Sequence, residues 1–487
     1  MKRKGLSVFL FVLVAAWAAL ASDFQPVNGA QLTAWLMSGV PCTRLARIVQ
    51  ERGIIAPFGK EQIQQLESAG ADETLIRALA TAHAPEKTKS SADEIPAILL
   101  QAAADSHSQH FHEAELDLRQ ALKSDPQDAA LHFALGAMLR QQENWEDAFD
   151  EVSIAAELMR DFPENHVALA YIFYRLDDGP NAIAEARTAL SMDPRNAEAY
   201  QILGLGLFST GRYAPAVHAF QESLVRNEKN PDTYYDLGIA LHAAGNLTAA
   251  LDSYHRAIGL NAAFWQAHSN LALTLHEAGR LDEAIAEYRE AIRLAPEEAS
   301  VRNNLGNTYC DKGDFDSAIA ELRELYRQHP EWEQGHGCLG RAYLSKKDYG
   351  SAIAELQLAV QQNPNSAAEH RLLGEALVLD DKLQEGVREL RLAIALNPDS
   401  DASHHILGTA LFQQQQLPGA EKEFREALRL NNSPDNHYSL AACLMTLDRY
   451  DEALAELEIA ARLDPARPLY RARRDELLKL MKQTNSR

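Results

Sequence analysis

A 34-residue period is the feature of this 487-residue sequence that most restricts its fold. Counted from Ile95, eleven copies run to Arg467, with a single deletion before the last copy. Position 8 is Gly or Ala in every copy, position 20 is Ala in ten copies, and position 7 is Leu in ten. Two helices approach closely only where the contacting side chain is very small, so these columns predict a tightly packed helical hairpin in each copy.

Glycine and proline mark the predicted helix ends. Position 15 is Gly in four consecutive copies, where a first helix needs a left-handed residue to turn back. Position 32 is Pro in seven copies, which stops the second helix. Stacked hairpins of this kind contact chiefly their neighbours. The sequence therefore predicts an all-α solenoid.

The repeat resembles the tetratricopeptide repeat, which has a period of 34 and the pattern W-x2-L-G-x2-Y, A-x3-F and P. One copy places Leu305, Gly306, Tyr309, Ala318 and Pro330 in register with it. The resemblance covers residues 95–467. It implies a right-handed superhelix in which the first helix of each repeat lines a concave groove for peptides or partner proteins.

The segments outside the repeats have their own patterns. Residues 1–21 combine a basic start, an apolar stretch and a small-x-small end, which predicts a signal peptide. We therefore expect a periplasmic or extracellular protein; an uncleaved membrane anchor is the alternative. Residues 23–83 contain two similar helix pairs and predict a small separate helical domain. Residues 84–94 predict a linker, and residues 468–487 a capping helix and tail.

The sequence offers no recognisable catalytic site. We predict no enzyme activity, no metal site and no cofactor. A cluster of His107, His110 and His112 falls in a predicted turn and is interpreted as solvent-exposed. Cys310 and Cys338 lie half a helix and one repeat apart by this register, so we expect no disulfide between them. The net charge of −22 repels phosphate backbones, so we predict no nucleic-acid binding, including by the N-terminal helix pairs.

The candidate site is the first-helix face, defined here as positions 2, 5, 6, 9, 12 and 13 of the first helices. In copies five to seven it is polar, and amides can hydrogen-bond a peptide backbone whatever its side chains. In copies nine and ten it is apolar. Some members of the resembled family hold a terminal carboxylate between basic residues; here that clamp is incomplete, with two arginines. The predicted groove residues are Tyr235, Asp236, Gln266, Asn270, Asn303, Asn304, Asn307, Arg341, Arg371, Leu372, Ile406 and Phe412.

Two functions are compatible with these patterns. The first is a non-catalytic scaffold of the cell envelope that binds extended peptides or partner proteins in the groove. The second is an accessory or docking subunit for a separate envelope enzyme such as a glycosyltransferase, because similar repeats also precede such domains. The sequence predicts neither the identity of the partner nor the oligomeric state.

Overall fold

The computed structural model describes residues 25–84 and 94–484 of the chain. Within these ranges the regular structure is helical, apart from one isolated bridge between Val27 and Ile54. The predicted signal peptide, most of the predicted linker and the last three residues lie outside the described residues. The chain forms two compact units, one ending at Leu260 and one beginning at Asn261.

The first unit contains four N-terminal helices and the helical pairs of repeats 1 to 5. The N-terminal helices are α1 (Gly29–Met37), α2 (Cys42–Arg52), α3 (Lys60–Ser68) and α4 (Glu73–Thr81). The repeat helices are α5 (Ala97–His107), α6 (Phe111–Ser124), α7 (Ala129–Gln141), α8 (Trp145–Leu158), α9 (Pro163–Arg175), α10 (Gly179–Met192), α11 (Ala197–Ser209), α12 (Tyr213–Arg226), α13 (Pro231–Ala243) and α14 (Leu247–Leu260).

The second unit contains repeats 6 to 11 and one further helix. The repeat helices are α15 (Trp265–Glu277), α16 (Leu281–Leu294), α17 (Ala299–Lys312), α18 (Phe315–Gln328), α19 (His336–Ser345), α20 (Tyr349–Gln362), α21 (Ala367–Leu379), α22 (Leu383–Leu396), α23 (Asp401–Gln413), α24 (Leu417–Leu430), α25 (Pro434–Thr446) and α26 (Tyr450–Leu463). The last helix is α27 (Pro468–Thr484). Each predicted copy holds two helices, so the prediction of an all-α solenoid is confirmed.

The small residue at position 8 faces a large side chain of the second helix at position 24. A Cβ atom added to Gly306 would lie 2.7 Å from Leu322, and one added to Gly340 would lie 2.5 Å from Leu356. Both distances are too short for ordinary contact. Because the glycine leaves this space to the larger side chain, the two helices of a repeat can pack closely.

Every repeat has a left-handed residue at position 15, between its two helices. Four of these residues are glycines, and their φ angles lie between 73° and 83°. The other seven are not glycine but adopt φ angles between 57° and 62°. They are Gln109, Glu143, Asp177, Lys347, Asp381, Gln415 and Asp448. The turn geometry is therefore kept in all repeats, although glycine marks it in only four.

The N-terminal helices share a hydrophobic core with the first repeats. Helix α1 packs on α5 and α7, and the Trp35 ring stacks on Phe162 with 4.7 Å between ring centroids. Ion pairs surround this contact: Arg44 with Glu164, and Arg52 with Asp161 at 2.9 Å. The sequence predicted a separate small domain; in the structure, residues 25–84 and the first repeats form one continuous core.

Helix α27 covers the end of the last repeat. Tyr470 is fully buried, and its hydroxyl donates a hydrogen bond of 2.7 Å to Asp435. Leu477 is also fully buried and belongs to the same hydrophobic core as residues of α25 and α26. Among the described residues, no helix is long and apolar enough to cross a membrane.

Candidate functional site

The first-helix face is covered in repeats 1 to 3. Leu99, Phe133, Ala134, Val167 and Ala168 occupy groove positions of these repeats, and all five are buried. They belong to the core that includes α1 to α4 or lie beside it. The chain's own N-terminal helices therefore occupy the face that the sequence predicted to be an open groove. The signal was present in the sequence, because these groove positions are apolar, unlike those of repeats 5 to 7.

The predicted asparagines of repeats 6 and 7 lie in the second unit and differ in what they contact. Asn303 is only 5% exposed and is not available to a ligand. Asn304 is half-buried and hydrogen-bonds the hydroxyl of Tyr288, which is itself buried. Asn307 is half-buried and has no side-chain hydrogen bond to any described residue. Asn270 and Gln266 are half-buried on the same face. Asn307 is thus the asparagine of this face that is best placed to accept a new partner.

The two arginines predicted on this face are both paired with carboxylates. Arg341 contacts Asp311 at 2.7 Å, and His276 contacts the same carboxylate at 2.9 Å, so three successive repeats are joined. Burial works to raise the pKa of Asp311, but hydrogen bonds from Arg341 and His276 outweigh it, so the pKa is lowered. Arg371 pairs with Glu375 at 3.3 Å. Neither arginine is left without a counter-charge, so a carboxylate clamp at these positions would have to displace an existing pair.

The apolar residues of repeats 9 and 10 lie further along the second unit. Leu372 packs against the core of repeats 7 to 9, while Ile406 and Phe412 pack against that of repeats 9 to 11. All three are half-buried. The second unit therefore presents polar side chains in repeats 6 and 7 and partly exposed apolar side chains in repeats 9 and 10.

A disulfide joins Cys310 and Cys338, and the prediction of no disulfide was wrong. Their Cα atoms are 6.2 Å apart, within the range that a disulfide spans. The first helix of repeat 8 begins at His336, after the left-handed Gly335, whereas most first helices begin at position 1. Because the first helices of these neighbouring repeats contact each other, Cys338 in the first turn of α19 meets Cys310 in the last turn of α17.

Tyr235 and Asp236, the remaining predicted groove residues, belong to the first unit. Both are half-buried. Asp236 accepts a hydrogen bond of 2.9 Å from Gln201. Burial raises the pKa of Asp236 to about 7, and the hydrogen bond from Gln201 only partly offsets this effect. Asp236 is thus the groove carboxylate whose charge changes near neutral pH.

A series of histidine–glutamate pairs was missed by the sequence analysis. A ring nitrogen of His at position 4 donates to Glu at position 23, so the pair joins the two helices of one repeat. Six of these distances are 2.6–2.7 Å. The pairs are His132–Glu151, His166–Glu185, His268–Glu287, His336–Glu355, His370–Glu389, His404–Glu423 and His437–Glu456. The signal was a column of histidines exactly 19 residues before a column of glutamates.

In the described ranges, no group of three or more His, Cys, Asp or Glu side chains is arranged to hold a metal ion. His107, His110 and His112 are exposed.

Comparisons with known families agree with the repeat register. A family model described as "Tetratricopeptide repeat" matches residues 99–164, 167–232, 303–367 and 339–401. A second, described as "TPR repeat", matches residues 272–313. The chain belongs to the tetratricopeptide repeat family. A third model, for subunit 3 of the anaphase-promoting complex, matches residues 389–460. No curated protein sequence matches the chain.

Several solved structures are similar to this tetratricopeptide repeat protein. The Cut9–Hcn1 structure is 12% identical in sequence to this chain. The match covers 79% of this chain and 90% of the Cut9–Hcn1 chain, with a TM-score of 0.41. Yeast Tom70 is 15% identical, and the match covers 79% of this chain and 94% of Tom70, with a TM-score of 0.33. YrrB is described as a protein with an unusual peptide-binding site. It is 24% identical, and the match covers 40% of this chain and 97% of YrrB, with a TM-score of 0.34. Tetratricopeptide repeats generally serve as non-catalytic scaffolds for protein–protein interaction.

Proposed function

We propose that this protein is a non-catalytic scaffold of the cell envelope that binds extended peptide segments along the first-helix face of its second unit. The observation that supports this proposal is the half-buried face itself. The same face is filled by the chain's own helices in repeats 1 to 3, but in repeats 6 to 10 no described helix of the second unit covers its central residues.

The two parts of this face suggest how a peptide is held. Asn307 offers both donor and acceptor groups to a peptide backbone. Leu372, Ile406 and Phe412 offer partly exposed apolar surface to a hydrophobic side chain further along the same peptide. Backbone hydrogen bonds then supply general affinity, and apolar burial supplies preference for particular sequences.

The test is site-specific photo-cross-linking in cells. A p-benzoylphenylalanine residue at position 307 should capture a partner protein, whereas the same residue at position 327 should not. Arg327 is the control because its side chain is 68% exposed on the second helix α18. Equal capture at both positions would contradict the proposal. Capture of a single enzyme at position 307 would favour the docking-subunit alternative.

A peptide taken from the captured partner then permits an affinity measurement. Asn307→Ala should weaken peptide binding by about 1–3 kcal/mol, because a buried backbone group of the ligand loses its hydrogen bond. Arg327→Ala should leave the affinity unchanged. We choose Asn307 over Asn304 because Asn304→Ala would also leave the buried Tyr288 hydroxyl without its partner. Unchanged affinity in Asn307→Ala would show that Asn307 is not part of the peptide-binding site.

The envelope location is part of the proposal. Two observations support it: the signal-like pattern of residues 1–21, and the Cys310–Cys338 disulfide, since disulfides persist mainly in oxidising compartments. We expect the mature protein to begin at Ser22 and to be recovered outside the cytoplasm. N-terminal sequencing that returned Met1 from a cytoplasmic fraction would contradict this expectation.

A further inference from the structure

The Cys310–Cys338 disulfide lies on the first-helix face itself. Cys310 occupies position 12 of repeat 7 and Cys338 occupies position 6 of repeat 8, and both positions belong to that face. The bond joins the last turn of α17 to the first turn of α19, so it crosses from one repeat to the next. Neighbouring repeats otherwise hold together by non-covalent packing. The junction between repeats 7 and 8 therefore has a covalent link in addition to its packing.

The backbone connection at this junction is also unusual. Seven residues, 329–335, separate α18 from α19, whereas at most four residues separate any other two successive helices of the second unit. Gly335 ends the connection with a φ angle of 102°, and a Cβ atom there would lie 2.8 Å from the Asn303 side-chain oxygen. Only glycine fits such a position. A long connection that ends in glycine can absorb changes of backbone angle, as hinges do.

The helices on either side of this connection pack less extensively than at the other junctions. Helix α19 has 10 residues, whereas the other first helices of the second unit have 13 or 14. Within this unit, α18 and α19 make the smallest contact between a second helix and the first helix that follows it. The first helices α17 and α19 make the largest contact between successive first helices. This junction therefore depends more than the others on the first-helix face, where the disulfide lies.

One ion pair runs beside the disulfide. Arg341 of α19 contacts Asp311 of α17 at 2.7 Å, and their side chains are 40% and 41% exposed. Exposed ion pairs of this kind contribute little to stability, because water and salt screen them. The disulfide is therefore the stronger of these two links between α17 and α19.

The two sulfur atoms differ in exposure. Cys310 is only 3% exposed, whereas Cys338 is half-buried. Thiol–disulfide exchange requires access for the attacking thiolate, and accessible disulfides are the ones that serve regulation. A reductant therefore reaches Sγ of Cys338, and Sγ of Cys310 is the leaving group.

We propose that this disulfide is a redox-sensitive latch on a hinge between repeats 7 and 8. A thiolate of a dithiol reductant bonds to Sγ of Cys338, the S–S bond breaks, and Cys310 leaves as a thiolate that takes up a proton. The second thiol of the reductant then displaces Cys338, which also becomes a thiol. The reductant supplies both electrons and is itself oxidised to a disulfide. Opening the latch leaves the junction to the long connection, the smaller helix contact and the Arg341–Asp311 pair.

The latch lies between the two parts of the proposed peptide groove. Asn307 precedes it in repeat 7, whereas Leu372, Ile406 and Phe412 follow it in repeats 9 and 10. One extended peptide contacts both parts only while repeats 7 and 8 keep a fixed angle. The oxidised protein is therefore the form that binds. This consequence rests on the proposed function, whereas the hinge itself does not.

Hydrogen–deuterium exchange of the full-length protein tests the latch without any peptide ligand. Reduction with dithiothreitol should speed amide exchange in residues 329–345 by about tenfold or more, because a disulfide that closes a loop of this length strongly restrains local opening. Amides of α21 should exchange at the same rate before and after reduction. Alkylation followed by mass spectrometry identifies which cysteines are free in each sample.

Two variants complete this experiment. Cys310→Ala combined with Cys338→Ala should exchange like the reduced parent and should not respond to dithiothreitol. Cys443→Ala is the matched control, because Cys443 is a free, buried cysteine of the same unit and its loss leaves the latch intact. If the double variant does not fold, the reduced parent provides the measurement. A disulfide that is reduced only in urea, or unchanged exchange at 329–345 after reduction, would overturn the proposal.

The effect on binding is measured separately. With p-benzoylphenylalanine at position 307, the double variant should capture its partner less than the Cys443→Ala control does. Faster exchange with equal capture would overturn the effect on binding and keep the hinge. Faster exchange with no capture by either protein would support the hinge while contradicting the scaffold function.

Discussion

Single residues at position 15 show how one backbone conformation is kept by different side chains. A left-handed conformation costs most non-glycine residues about 1–2 kcal/mol. Seven repeats place a non-glycine residue in this conformation, and four avoid the cost by using glycine. The helix pairs on either side must therefore stabilise the turn enough to outweigh this cost.

Gly245 and Gly259 allow this cost to be measured in one repeat. Neither has an atom within 4 Å of an added Cβ, but only Gly245 has a positive φ, of 80°. Gly245→Ala should lower the free energy of unfolding by about 1–2 kcal/mol. Gly259→Ala, inside helix α14, should raise it by roughly 0.5–1 kcal/mol. Urea denaturation followed by circular dichroism measures both, and shifts of the same sign would contradict the explanation.

Gly306 tests the close approach of two helices. Gly306→Leu places a large side chain where even a Cβ would lie 2.7 Å from Leu322. Overpacking of this kind should destabilise the second unit by about 1–3 kcal/mol. Gly350→Leu is the control, because Gly350 is exposed with nothing within 4 Å of an added Cβ. A Gly306 variant that melts at the parent temperature would mean that the repeat can relax around position 8.

At the scale of helix pairs, the His268–Glu287 contact makes stability depend on pH. The pKa of His268 is raised, chiefly because its ring N–H donates to the Glu287 carboxylate, while burial opposes the shift. The folded protein therefore keeps this proton to a higher pH than the unfolded chain does. The stabilisation is complete below the ordinary histidine pKa of about 6.5 and is lost as the pH rises through the raised value.

Repeat 7 suggests the variant that tests this dependence. There, Arg302 replaces the histidine and contacts Glu321 at 2.7 Å. His268→Arg should keep the pair but remove its titration, so stability should fall less between pH 6 and pH 8 than in the parent. His268→Ala should be less stable than the parent at pH 6, with a smaller difference at pH 8. Urea midpoints at the two pH values provide the measurement; parallel pH profiles for parent and His268→Arg would exclude the pair as the cause.

The same scale shows what the sequence could and could not predict. The columns at positions 8 and 20 reflect local packing within one hairpin, so the helices and their register followed from them. The Cys310–Cys338 disulfide depends on the contact between the first helices of two successive repeats, which no column within one repeat marks. The docking of α1 depends on contacts between distant segments, such as Trp35 with Phe162. Contacts of that kind leave no periodic pattern in a single sequence.

At the scale of the whole molecule, stability should be distributed along the repeats. Removing residues 468–487 takes away Tyr470 and Leu477, both fully buried, and uncovers the last repeat. Because each repeat contacts chiefly its neighbours, we expect lower solubility but retention of most of the helical circular-dichroism signal. Light scattering and circular dichroism measure the two effects. Loss of all helical signal would contradict distributed stability.

The docking of α1 and α2 on the first repeats has a consequence in time. Arg44 and Glu164 are about 120 residues apart in the sequence. At a synthesis rate of 5–20 residues per second, the N-terminal helices wait roughly 6–24 s for the surface that covers Trp35. During that interval the apolar side chains that will pack on this surface are exposed to solvent on the nascent chain. The N-terminal helices thus wait longer for their packing surface than a repeat does, because a repeat needs only the next 34 residues to gain its neighbour.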